Sequence, residues 1–160
     1  MTTVSPFHPA HGATTLASIV DGLARSPECW RALVEHEAGA RRYAPIPLDG
    51  VDAWVISWAP GTGLALHDHG GADGALTVVE GSLLERHGSR QVPSVLQARA
   101  LDLGTTVVFD ADHVHEVTNV GEVAAVSIQV YAPALDRMTF FADDPRDDVV
   151  VPAASTRGRS

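Results

Sequence analysis

Trp54-Val55-Ile56-Ser57-Trp58-Ala59-Pro60-Gly61-Thr62-Gly63-Leu64-Ala65-Leu66-His67-Asp68-His69-Gly70-Gly71 is the stretch that decides the fold. An apolar run, a Pro-Gly-Thr-Gly turn, a second run ending in His-Asp-His and a second glycine turn read as two short strands joined by tight bends. The rhythm continues through Ala75–Val79, Ser82–Arg86, Thr105–Phe109, His115–Thr118 and Val123–Tyr131, with turns at Glu80-Gly81 and Asn119-Val120-Gly121. So many short strands in about 80 residues predict a mainly β chain, a sandwich or a barrel. No helix long enough for a parallel crossover lies between them, which favours antiparallel pairing.

Ahead of the strands the period is helical. Leu16, Ile19, Val20 and Leu23 recur at three- and four-residue spacing, and Cys29, Trp30, Leu33 and Val34 follow the break at Ser26-Pro27. Two short N-terminal helices are predicted, with Ser26 capping the second and Pro27 in its first turn. Residues 1–12 read as a flexible N-terminus and 13–142 as one domain. Residues 143–160, with Asp143-Asp144-Pro145-Arg146-Asp147-Asp148 and a Ser/Arg/Gly end, read as an acidic and polar tail.

Composition bounds the partners. At 160 residues, 45% apolar and 19% charged, the chain suits a single folded core. Its formal charge of −9, from 20 acidic and 11 basic side chains, repels phosphate backbones and anionic headgroups, so neither nucleic acid nor membrane is an expected partner. The N-terminus shows no basic region followed by an apolar stretch, and no apolar run approaches the roughly 18 residues of a membrane span, so a cytoplasmic location is expected. The single cysteine, Cys29, excludes an intrachain disulfide and a cysteine-built zinc site.

Histidines are the excess, eight in all. Alternation along a strand projects His67 and His69 from one face and turns Asp68 away, which gives two imidazole ligands at i and i+2. Gly61 stands six positions before His67 and Gly81 twelve after His69, and a second segment runs Gly104-x5-Asp110-x-Asp112-x2-His115-x3-Asn119. This layout resembles the paired motifs of cupins, which implies a small jelly-roll barrel and a metal on His67, His69 and His115. Gly74 stands where the first motif usually has glutamate, and Asp110 and Asp112 replace the proline and glycine of the second. Three neutral imidazoles without that glutamate leave a divalent metal its full charge; nitrogen ligands alone do not choose among iron, zinc, copper and nickel.

A closer resemblance, over about Trp54 to Pro133, rests on Trp54-Val-Ile-Ser-Trp58-x-Pro60-Gly61, His67-Asp68-His69-Gly70-Gly71-x2-Gly74, Glu80-Gly81-x-Leu83-x-Glu85, His115-x-Val117-x-Asn119 and Ala125-Val126-Ser127-x3-Tyr131-x-Pro133. These segments are similar to the cysteine dioxygenase family of thiol dioxygenases. The resemblance implies Fe(II) as cofactor, His67, His69 and His115 as its ligands, and Tyr131 as the phenol beside dioxygen and thiolate. Tyr131 is then uncrosslinked, since Gly74 stands where some relatives carry a crosslinked cysteine. Ser127 and Gln129 fall on the family's Ser-His-Tyr chain, with Gln129 in place of the histidine; glutamine passes a hydrogen bond but does not titrate. Pro45 stands where relatives that use cysteine carry the arginine for its carboxylate, and Arg41, Arg42, Arg99 and Arg137 are the candidate substitutes. The implied reaction adds both atoms of dioxygen to the sulfur of a small thiol, cysteine or a thiol carboxylate, to give a sulfinate, in a monomer or homodimer. The departures at Pro45 and Gln129 keep one alternative open, a metal-dependent cupin oxygenase or isomerase on a non-thiol molecule; a non-enzymatic ligand-binding or sensor cupin is a third reading.

The remaining residues have structural readings. His113 shares a strand face with His115 and is the rival ligand, but only His115 has the motif's asparagine, Asn119, four positions on. His8 and His11 lie in the N-terminus, His36 on a helix and His87 in a turn, as solvated or capping residues. Cys29 is expected as a buried thiol, Trp54 and Trp58 as core, and Asp68 as a surface or loop residue or an acceptor for a neighbouring imidazole.

Overall fold

The computed structural model describes residues 13–144 and 149–157. Helix α1 (Ala13–Ala24) is followed by two 3-10 turns and then by β1 (Arg41–Pro45), β2 (Asp52–Trp58), β3 (Gly63–His67), β4 (Asp73–Glu80), β5 (Leu83–Ser89), β6 (Gln97–Leu101), β7 (Thr106–Phe109), β8 (His113–Thr118), β9 (Ala125–Ala132), β10 (Arg137–Asp144) and β11 (Val149–Arg157). They form two antiparallel sheets, β1-β2-β9-β4-β7 and β11-β10-β3-β8-β5-β6. Strand spacing and glycine turns predict a sandwich or barrel, and the arrangement is the jelly roll that the cupin resemblance implies.

Strand β9 shows why the sequence reads as an almost unbroken apolar run: both of its faces are covered. Ser127, Gln129 and Tyr131 face the space between the sheets, where Trp54, Ile56, Trp58, Leu76, Val78, Phe109 and Tyr131 form the main core. Val126, Ile128 and Val130 point the other way and pack with Val55 and Ala75 against Leu16, Val20 and Leu23 of α1. The helix therefore closes the outer face of the first sheet with its i, i+4, i+7 stripe.

Several expectations are corrected. The second helix is two 3-10 turns, Pro27–Cys29 and Arg31–Leu33. Ser26 does not cap it; its Oγ donates to the Gly22 carbonyl at 2.9 Å, and Trp30 Nε1 donates to the Leu23 carbonyl at 3.0 Å, so both finish α1. Without a helical face to bury it, Cys29 is exposed. His36 lies beyond the second turn, in no helix, and His87 is in β5. Strands β1, β6, β10 and β11 go beyond the expected set, because Arg41-Arg42-Tyr43-Ala44-Pro45 and its counterparts lack clean alternation. Where composition suggests a tail, Val149–Arg157 pairs with β10. His8, His11 and the rest of 1–12, like 145–148 and 158–160, lie outside the described residues.

Asn119, the motif asparagine, is fully buried at the end of β8. Its Nδ2 donates to the carbonyls of Trp58 and Val123, each at 2.8 Å, and its Oδ1 accepts from Gly121 N at 2.9 Å. It ties the end of β2 to the β8–β9 turn. Asn119→Ala strands these backbone groups at about 1–3 kcal/mol for each that stays buried and unpaired. Urea denaturation is expected to show that loss while metal affinity stays within twofold of wild type.

Candidate metal centre

His67 ends β3, and the Gly70-Gly71 turn, both residues at positive φ, carries the chain from the second sheet to β4 in the first. At Gly70 a Cβ would stand 2.6 Å from the Arg137 carbonyl, so the bend requires glycine twice over. His69 consequently leaves the strand and sits on the connecting segment, yet its ring meets that of His67 edge-on at 5.0 Å. His115 on β8 lies directly across from His67 in the sheet register. The three side chains, each 1–2% exposed, bring their ligand nitrogens within 4.8 Å of one another.

The donor atoms suit a divalent metal. His67 Nδ1 donates to the Ala65 carbonyl at 2.7 Å and His115 Nδ1 to Glu85 Oε1 at 2.7 Å, which leaves Nε2 of both rings as lone-pair donors. His69 Nε2 stands 3.1 Å from His115 Nε2, while His69 Nδ1 is buried with no hydrogen-bond partner. Two imidazole nitrogens that share one ion at about 2.1 Å each stand roughly 3 Å apart, so a metal would resolve this apposition. Burial and the neighbouring His115 push His67 and His69 well below the ordinary imidazole range, and burial also lowers His115 against the raising effect of Glu85. All three are therefore neutral, the state in which imidazole binds metal.

Gly74 explains the missing motif carboxylate. A Cβ there would fall 2.3 Å from Phe109 Cε2 and 3.1 Å from Tyr131 Cδ1. The Phe109 ring fills the room and stacks on His69 at 4.7 Å. Position 74 is paired with Tyr131 in the sheet. Tyr131 is fully buried, its ring centroid 5.3 Å from that of His69, and its hydroxyl donates to Gln129 Oε1. Ser127 Oγ accepts from Trp58 Nε1 at 3.0 Å.

Asp68 is 1% exposed rather than on the surface. Its Oδ1 accepts from the backbone nitrogens of Gly70 and Thr139, and Arg90 Nε lies 3.2 Å from Oδ2, so it braces the glycine turn and not an imidazole. His113 turns toward Glu85, its Nε2 3.3 Å from Oε1, and forms a second donor group with Glu85 and His115. Arg99 already occupies the other oxygen of that carboxylate, which opposes a cation there.

The four candidate arginines separate clearly. Arg42 is exposed and paired with Glu37, Arg99 is held by Glu85, and Arg137 is exposed. Arg41 shares the inner side of β1 with Tyr43 and Pro45 and lies opposite Trp58. Its guanidinium sits over the rings of Trp58 and Tyr43 at 5.4 and 5.5 Å, and Nη1 is buried without a hydrogen-bond partner. Burial lowers its pKa, opposed by Tyr43 and Tyr131, and its charge helps keep His67 neutral. Glu85 and Phe109 have no functional place in the sequence reading; alternation on β5 beside the ligand strand is the available signal for Glu85.

The profile of the cysteine dioxygenase type I family matches residues 12–144. The chain belongs to that family. No curated protein sequence matches the chain. Among solved structures, the TT1209 protein of Thermus thermophilus is 21% identical with a TM-score of 0.56, covering 65% of this chain and 93% of its own. A double-stranded β-helix protein of Klebsiella pneumoniae is 19% identical at 0.52 (64% and 85%), and a cupin superfamily protein of Desulfitobacterium hafniense is 16% identical at 0.50 (64% and 85%). At these identities the likeness is one of fold. Family, cupin fold and the three-histidine group together support a metal-dependent enzyme of oxidoreductase type.

Unfolding exposes these imidazoles to water, where they protonate near 6.5, whereas in the fold they resist it. Because the folded values are depressed, the stability is complete above pH 6.5 and is lost as pH falls toward the folded values, at about 1.4 kcal/mol per pH unit for each histidine. Urea denaturation of metal-free protein from pH 5 to 8 is expected to show that slope, and His69→Phe to flatten it by up to one histidine's share.

Proposed function

We propose that this family member is a mononuclear non-haem Fe(II) dioxygenase that converts a small thiol bearing a carboxylate to its sulfinate. The observation that carries the reading is the convergence of His67, His69 and His115 on one point, walled by Tyr131. His67, His69 and His115 would hold iron(II), which when bound would supply dioxygen activation and an open position for the sulfur of the substrate. The protein orients and balances charge. Gln129 Oε1 accepts the hydrogen bond of the Tyr131 hydroxyl and, as an amide, does not titrate, so it holds the direction of the phenol. Phe109 and the surrounding core keep water from the ligands.

Arg41 supports the carboxylate. Ring faces hold the guanidinium in place and Nη1 has a donor unspent, so a substrate anion meets a preformed cation in an otherwise acidic protein. Such a charge-assisted hydrogen bond is worth about 1.5–3 kcal/mol. Pro45, which has no donor at all, and Gln129 favour a second reading, a cupin oxygenase or isomerase acting on a non-thiol molecule.

Oxygen uptake by Fe(II)-loaded protein separates the two. With cysteine or 3-mercaptopropionate, one dioxygen per sulfinate is expected, and 2-aminoethanethiol, which lacks the carboxylate, should turn over more slowly. Arg41→Gln should raise KM for thiol carboxylates by roughly 10- to 100-fold and leave that for 2-aminoethanethiol unchanged. No thiol-dependent uptake with any of the three sinks the proposal in favour of the second reading.

A further inference from the structure

Glu85 is fully buried, and its two oxygens are divided between the candidate metal centre and the outside. Oε1 accepts from His115 Nδ1 at 2.7 Å and lies 3.3 Å from His113 Nε2; Oε2 accepts from Arg99 Nε at 2.5 Å. The sheet register fixes this arrangement. Glu85 on β5 is directly opposite Arg99 on β6 and Val117 on β8, so its side chain stands on the same face as His115, two residues from Val117. A buried carboxylate is expensive to keep, and apolar residues of similar volume make a core at least as stable. Donors on both oxygens compensate its burial, the Arg99 guanidinium on one side and the two imidazoles on the other.

We propose that Glu85 is a positioning residue for the metal: it fixes His115 in the Nδ1–H tautomer and places behind that ligand the negative charge that position 74 does not provide. The inference rests on the reading of His67, His69 and His115 as ligands. In the cupin pattern a carboxylate joins the histidines at the ion itself. Here Phe109 fills that space, and the charge stands one imidazole away, on a strand of the opposite sheet. A carboxylate behind a histidine ligand raises the ring's basicity and locks its orientation. Arg99, partly exposed at the far oxygen, sets how much of the negative charge reaches the centre.

This assignment predicts opposite effects from the two halves of one ion pair. Cobalt(II) affinity of the metal-free protein, by competition with a chelator, and the Fe(III)/Fe(II) midpoint potential are the readouts. Glu85→Gln is expected to weaken cobalt binding about 10- to 100-fold and to raise the potential, since the lost negative charge had favoured the ferric ion. Arg99→Gln is expected to lower the potential and to bind cobalt at least as tightly as wild type. A purely structural ion pair would shift both variants the same way; that result, or Glu85→Gln within twofold of wild type, overturns the inference. If Glu85→Gln does not fold, Arg99→Gln decides alone: an unchanged or raised potential overturns it. Neither readout uses thiol turnover, so a protein that passes here but oxidises no thiol contradicts the proposed function and not this role for Glu85.

Discussion

Three imidazoles buried within reach of one another, two with their Nε2 atoms 3.1 Å apart, form the constraint on which the rest of the structure depends. Lone pairs facing each other in a dry interior are unfavourable unless a proton or a metal stands between them. Each of the three comes from a different local setting: a strand end, a connecting segment and a facing strand. The fold has to hold those settings rigidly, and the parts that do so are identifiable. Asp68 braces the glycine turn that carries His69, the β3–β8 register sets His67 against His115, and Asn119 ties the end of β8 to β2.

Charge is the second organising quantity. The chain carries −9 overall, yet its candidate metal ligands are neutral and no carboxylate of the described residues joins them at the point of convergence. The nearest anion, Glu85, is set behind His115, and a cation with an unspent donor, Arg41, comes from the edge strand β1. The exchange at position 74 links the two observations. A glycine there admits the Phe109 ring, which excludes a carboxylate from the point where the imidazoles converge and makes one face of the His69 environment apolar.

Much of this is legible in the sequence where the signal is periodic or spaced. Alternation and glycine turns identify the strands from Trp54 to Tyr131, and the motif spacing singles out His67, His69 and His115, which the fold brings together as a candidate metal group. The illegible parts have physical reasons. Strand β1 is held by cross-strand pairing with β2, not by its own pattern, so Arg41 has no face until Trp58 supplies one. Alternation with Leu83 marks the face of Glu85, but its partners come from β6 and β8 and appear only once the sheet is assembled. Cys29 misleads because its apolar neighbours imitate a helical stripe that the two 3-10 turns do not form.

The proposed function requires one metal ion on Nε2 of His67, His69 and His115, with Glu85 outside its coordination sphere. The most direct measurement is an anomalous-difference map from a crystal of the cobalt-loaded protein. A single peak within coordination distance of those three nitrogens is expected. A peak among Glu85, His113 and His115, or a carboxylate oxygen in the coordination sphere, would contradict it.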